Sequence, residues 1–164
     1  MKKYSISHGG NKAMKKVLLL IVLFMTMVSS HSFAADGIKW YSLKDGMEKA
    51  KQEKMPLIVD FWYGEGCPRC ARMQKDIYGD PLIVKKIMDD FIPIKIDLAK
   101  PLTAEEEALG DNYEYKHECL LLFLDHNGEV LSDTGGKRLC FMDSVDPEWF
   151  VSYLDMVKRS YKRK

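Results

Sequence analysis

Apolar positions beyond residue 36 follow two periods, one near 3.6 residues and one of 2, and they divide the chain into elements. Ser42-x-x-Asp45 has the form of a capping box, and Met47, Ala50 and Lys51 carry an amphipathic helix to about Lys54. "MPLIVDFWY", 55–63, is a short apolar run opened by proline and rich in β-branched and aromatic residues, which predicts a buried central strand. A helical pattern resumes at Cys70-Ala71-Arg72-Met73 and continues to Ile77. Asp80-Pro81 supplies an N-cap and a proline at the first helical position, opening a helix that runs to about Asp90. "FIPIKIDL", 91–98, alternates and predicts a strand, and Thr103-x-x-Glu106 caps a short helix through Leu109. "CLLLFLD", 119–125, predicts a buried strand; His126-Asn127-Gly128 is a tight turn, and "EVLSDT" is expected to return as its hairpin partner. Asp146-Pro147 caps a last helix whose Phe150, Leu154 and Val157 share a face.

Strands joined by helices become parallel neighbours, while a hairpin adds antiparallel ones. The order therefore predicts an α/β fold: a mixed central sheet with helices on both faces. No internal repeat interrupts it, and 46% hydrophobic with 30% charged residues is ordinary for a globular domain.

Residues 1–35 read differently. Lys15 and Lys16 precede the apolar run "VLLLIVLFMTMV", 17–28, and "SSHSFAAD" follows. These are the basic, apolar and small-residue parts of a signal peptide, with cleavage expected after Ala34 or Ala35. The run is shorter than the ~20 residues a membrane span needs. Met14-Lys15-Lys16 resembles a natural start, and residues 1–13 match no signal-peptide part. The expected division is a leader over 1–35 and one domain over 36–164. Five lysines and no acid fall in the leader, so 20 basic and 24 acidic residues remain, a net of −4. That balance carries no basic patch of the kind nucleic acid requires.

All four cysteines, Cys67, Cys70, Cys119 and Cys140, lie beyond the leader. An exported chain meets an oxidising compartment in which disulfides persist, and four cysteines allow three pairings. Cys67 and Cys70 stand in "FWYGEGCPRCARM", between the predicted central strand and a helix N-terminus. Unpaired N–H groups and the positive dipole end there favour a thiolate at Cys67, and Arg69 adds positive charge, an environment that can bring a thiol below ~8. Pro68 suits the first helical turn because its missing N–H costs nothing there. Cys70, three residues on, is placed to attack a mixed disulfide at Cys67. Asp60 sits inside "LIVDFW", where burial should raise its pKa.

This layout, with "PLIVDFWYGEGCPRC", "FIPIKID" and "LLLFLDHNGEV", resembles the thioredoxin superfamily over about residues 38–157, and in particular exported thioredoxin-like domains related to the C-terminal domain of DsbD. The resemblance implies a protein-disulfide oxidoreductase with Cys67 as nucleophile, Cys70 as resolving thiol and a redox-active Cys67–Cys70 disulfide. It gives Asp60 a part in proton transfer to or from the second cysteine. It implies periplasmic protein thiols and disulfides as partners, a membrane thiol reductant or oxidant to reset the pair, and no cofactor.

Three departures stand out. Gly66 occupies the place of the family's tryptophan before the first cysteine. The Asp60-to-Cys67 interval is one residue longer, with Gly64 expected to absorb the extra residue. The loop facing the pair, which falls on Glu118 and Cys119, has Cys119 where the family has a cis-proline. A second disulfide, Cys119–Cys140, is one further expectation. Two other readings use the same residues. Cys67, Cys70 and Cys119, with His117 or Cys140, form a thiolate/imidazole set for a metal or iron–sulfur centre. A non-catalytic binding module would hold the CxxC as a permanent disulfide.

Overall fold

The computed structural model describes residues 37–113, 121–141 and 146–163; the expected leader lies outside them. Helix α1, Leu43–Glu53, begins where Ser42 Oγ accepts the Asp45 N–H at 3.1 Å and donates to Asp45 Oδ2 at 2.8 Å. Strand β1, Leu57–Trp62, follows. Helix α2, Pro68–Arg72, passes into a π-helical segment, Met73–Ile77. Helix α3, Pro81–Asp90, starts at the cap Asp80, whose Oδ1 takes the N–H groups of Leu82 and Ile83. Then come β2, Ile92–Asp97, α4, Ala104–Tyr113, β3, Leu121–Leu124, β4, Cys140–Phe141, and α5, Pro147–Lys162. No helix among the described residues is long and apolar enough to cross a membrane.

The sheet order is β2-β1-β3-β4. Strand β1 runs parallel to β2 and antiparallel to β3, in a register that sets Asp60 opposite Lys95 on one side and Leu121 on the other. Because successive side chains point to opposite faces, the central strand feeds two cores. Ile58, Leu121 and Phe123 pack with Ile77, Ile83, Ile87 and α5's Phe150, Leu154 and Val157. Leu57, Val59 and Phe61 pack with Ile92, Ile94 and Ile96 against α1's Leu43 and Ala50, with α4's Leu109 and Tyr113 alongside. Helices thus cover both faces of a mixed sheet, the expected fold class.

Three elements depart from the sequence reading. The helix after Cys70 is not α-helical to Ile77: the Tyr78 N–H reaches back five residues to Met73 O at 2.9 Å. This wider turn keeps Met73, Ile77 and the adjacent Tyr78 buried together before Asp80 restarts the chain. The helix capped by Thr103 and Glu106 does form its reciprocal pair of bonds, but it runs past Leu109 to Tyr113. "EVLSDT" returns without forming a strand. Asp125 Oδ1 accepts the N–H groups of Asn127 and Glu129, and Asp133 Oδ1 those of Gly135 and Lys137. The segment still returns beside β3 as a short hairpin, with the Asp125 N–H donating to Glu129 O at 2.8 Å, the Leu131 N–H to Phe123 O at 2.9 Å, and a bridge from Leu124 to Val130, while the regular ladder on that edge of β3 is with β4. Asp125 takes the Glu129 N–H inside the returning segment, and Asp133 closes a second turn just beyond it.

Helix α1 lies so close to β2 that a Cβ at Gly46 would overlap the Ile94 side chain. Gly46→Val should therefore lower stability by about 1–3 kcal/mol through overpacking. The expected readout is a lower urea midpoint with an unchanged slope.

Candidate active site

The chain leaves β1 at Trp62, whose carbonyl accepts the Leu98 N–H at 2.8 Å and so ties the end of β1 to the turn after β2. Gly64 then turns with φ +91°, and a Cβ there would press on Ala99 at 3.2 Å. A glycine absorbs this bend without steric cost. The Cys67 N–H donates to Gly64 O at 3.3 Å. Cys67 is extended, at φ −89° and ψ 108°, and is itself the N-cap of α2: its Sγ accepts the Cys70 N–H at 3.1 Å. Pro68 takes the first helical position. Gly66 is exposed, and nothing lies within 4 Å of where its Cβ would be. The loop before the first cysteine is therefore left open.

Cys67 and Cys70 form a disulfide, with their Cα atoms 5.2 Å apart. The two sulfurs are not equivalent. Cys67 is half-buried in the loop, whereas Cys70 is 4% exposed and receives the Tyr63 N–H at 3.5 Å. An incoming reagent meets Cys67 first. Arg69 is half-buried between the cysteines and Arg72 is exposed, and both belong to α2, whose first turn carries no acid.

In the strand that precedes the cysteine loop, Asp60 is 5% exposed on the face of β1 that also presents Ile58. Burial raises its carboxyl pKa to about 6, against the opposing pull of the Lys95 charge and the Tyr78 hydroxyl. Lys95 Nζ lies 3.8 Å from Asp60 Oδ2. The ammonium sits over the rings of Trp40, Trp62 and Tyr78, at 4.5, 5.8 and 5.9 Å from their centroids. Burial pushes the Lys95 pKa down while Asp60 and Asp97 pull it up. Sequence reasoning singled out Asp60 and missed Lys95. The available signal was a lysine at the polar phase of "IPIKID", in register with the one acid of the central strand.

The remaining expected residues lie apart from this group or outside what is described. Cys140, in β4 opposite Leu122, is disulfide-bonded, and its carbonyl accepts the Tyr153 hydroxyl at 3.1 Å. His117, Glu118 and Cys119 lie outside the described residues. Among the described residues no cysteine is free, no peptide bond is cis, and no three His, Cys, Asp or Glu side chains cluster to hold a metal. A cavity of about 800 Å³ opens between α1 and α4, lined by Met47, Leu109, Tyr113 and Leu124 among others, but no residue of the Cys67–Cys70 loop lines it.

A mixed sheet with a CxxC disulfide capping the helix after its central strand defines a thioredoxin-type domain. Residues 39–123 match the model of a family described as thioredoxin-like, and the chain belongs to that family. It is similar to the thioredoxin-related protein DsbJ of Chlamydia pneumoniae, 21% identical over 146 residues, covering 79% of this chain and 42% of that protein. The chain therefore spans less than half the length of that relative. Its fold is similar to that of the solved structure of DsbH oxidoreductase, with a TM-score of 0.56 and 21% identity over 84% of this chain and 94% of that one. It is similar also to a thioredoxin from Thermus thermophilus, with a TM-score of 0.54 and 19% identity over 74% and 87% of the two chains.

The buried carboxyl has a consequence for stability. A folded pKa of about 6 exceeds the ordinary 3.8, so the native state binds the extra proton between these values. Stability is then greatest below pH ~4 and falls as pH rises through about 6, by roughly 3 kcal/mol for a gap of this size. Asp60→Asn should abolish most of that fall. Urea unfolding of both proteins from pH 4 to 8 checks it: the variant's stability should stay nearly level where the wild type's declines.

Proposed function

We propose that this protein is an exported thiol–disulfide oxidoreductase that exchanges disulfides with other proteins through Cys67 and Cys70. The observation that carries this reading is the asymmetry of the pair. One sulfur is half-buried at a helix cap with an open loop before it, and the other is buried beneath it. In the reducing direction, the Cys67 thiolate attacks a client disulfide, forming a mixed disulfide and expelling one client thiolate. Cys70 loses its proton and attacks Cys67, forming the intramolecular bond and releasing the second client thiolate. Two electrons pass from the dithiol to the client; the oxidising direction is the same sequence reversed. Asp60 accepts or returns the Cys70 proton, its raised pKa matching it to that task better than an ordinary carboxylate.

Pro68 and Arg69 shape and charge the attacking turn, and Gly66 leaves room for the client backbone. Residues 1–35 serve as the export signal and 36–164 as the periplasmic domain, with a membrane thiol reductant or oxidant resetting the pair. Cys140 is bonded and the Cys67–Cys70 bond accounts for two of the four cysteines, which supports Cys119–Cys140 as a second disulfide beside the substrate-facing Glu118 and Cys119.

Cys67→Ser should abolish reduction of a protein disulfide, a loss of at least ~10³-fold, as expected when the attacking group itself is removed. Cys70→Ser should instead accumulate a mixed disulfide with the client, visible as a reducible adduct by non-reducing electrophoresis and mass spectrometry. Equal activity in the wild type and both variants would refute the reading. Thiol counting with metal analysis on the exported protein should find two disulfides after oxidation and no stoichiometric zinc or iron.

A further inference from the structure

The buried polar atoms of the first core include two that the exchange chemistry above leaves unused or half-used. Asp60 Oδ2 and the Tyr78 hydroxyl are both fully enclosed, and neither makes a hydrogen bond of full geometry among the described residues. A buried hydroxyl or carboxyl oxygen without a matching partner is costly, so two of them in one cluster call for an explanation. They are neighbours. Lys95 Nζ bridges them in space, 3.8 Å from Asp60 Oδ2 and 5.9 Å from the Tyr78 ring centre. Trp40 closes the group, packing its edge on Tyr78 with centroids 5.1 Å apart and its face under Lys95 at 4.5 Å.

The position of Tyr78 is a product of the π-helical segment. The five-residue reach from Tyr78 N to Met73 O delivers its ring inward beside Met73 and Ile77, at 7% exposure. The phenol keeps its proton over the range in which Asp60 titrates, because burial and the Asp60 charge both push it well above its ordinary value. A hydroxyl that cannot ionise can act on a carboxylate only as a donor.

We propose that Tyr78 is a positioning residue of the exchange site: its hydroxyl, with the Lys95 ammonium, holds the Asp60 carboxylate in its charged, proton-accepting form. The inference rests on the oxidoreductase reading for its use in turnover, though not for the coupling itself. When Cys70 closes the ring onto Cys67, its proton moves to Asp60 as the S–S bond forms and the client thiolate leaves. A carboxylate that receives a hydrogen bond from Tyr78 is ionised over a wider range of pH and is ready for that proton. The charged and titratable groups facing Asp60 are Lys95 from β2 and Tyr78 from the π-helical segment's end; Asp97 acts on it through Lys95.

Tyr78→Phe removes the hydroxyl and keeps the ring, and with it the Trp40 and Lys95 contacts. The first measurement needs no client: the Asp60 carboxyl of the oxidised protein is titrated by carbon-detected NMR. Its midpoint, about 6 in the wild type, should rise by roughly one pH unit in the variant, the size of a hydrogen bond to a charged group. The second is the pH profile of client release from the mixed disulfide in single-turnover mixing. Its half-maximal pH should move up by the same amount, and Tyr78→Phe should add no shift in an Asp60→Asn background. An unmoved Asp60 midpoint in a folded variant overturns the coupling. A moved midpoint with an unmoved rate profile overturns its part in exchange. If the wild type shows no exchange with any protein disulfide, the oxidoreductase reading and the use in turnover fall together, while the titration still decides whether Tyr78 controls Asp60.

Discussion

Strand β1 is buried on both faces and hydrogen-bonded on both edges, and it still carries a carboxyl group in its middle. Leu57, Val59 and Phe61 hold one core and Ile58 the other. Asp60 falls on the Ile58 face because strand side chains alternate. A one-residue slip would only carry Asp60 into the other core, and it would move every apolar neighbour to the wrong face as well. The acid is therefore locked in place by the hydrophobic pattern around it. Its partners follow from the same lock: the parallel register with β2 brings Lys95 directly opposite, and the exit of the strand launches the cysteine loop.

The same rigidity positions the cysteine loop. Leu98 ties the end of β1 to the turn after β2, and Gly64 bends the chain so that Cys67 arrives as the cap of α2. A capping side chain accepts an orphan N–H of the helix, so the Cys67 sulfur gains a donor from Cys70 N without a separate polar residue. The π-helical turn after α2 then carries the chain back under the sheet, which is how Tyr78 comes to share a cluster with a strand eighteen positions earlier in the chain.

Features written as local chemistry were legible in the sequence. The caps Ser42, Asp80, Thr103 and Asp146 act where their spacing predicts, because each satisfies N–H groups within three residues. The alternation of "FIPIKIDL" and the apolar run of β1 gave the right strands, since burial on one or two faces leaves a direct trace in composition. The return of "EVLSDT" beside β3 was legible as a hairpin, but its length was not. Turn signals fix where a chain reverses, but not how far the pairing then runs: Asp125 takes the Glu129 N–H inside the returning segment, and Asp133 closes a second turn just beyond it. The π-helical turn left no trace either, because Met73, Ile77 and Tyr78 fit an α-helical stripe nearly as well. Lys95 and Tyr78 were invisible for a deeper reason: each looks like an ordinary surface or core residue until the register sets it beside Asp60.

The burial of Asp60 joins stability to reactivity through one quantity. Raising a carboxyl from its ordinary 3.8 to about 6 weakens the fold at neutral pH by the free energy of that shift. The same shift makes the carboxylate a stronger base by a factor on the order of 10², since basicity and pKa are one property. The stability lost and the basicity gained are therefore two readings of a single equilibrium, and no substitution can recover the first while keeping the second. What the surroundings can adjust is where the equilibrium stops. Desolvation alone would drive the group further upward and leave less of it ionised at a given pH. Lys95 and Tyr78 oppose that drift. In the proposed exchange, a carboxylate that takes the Cys70 proton has to be both buried enough to want a proton and supported enough to be without one, and Lys95 and Tyr78 act in the second direction.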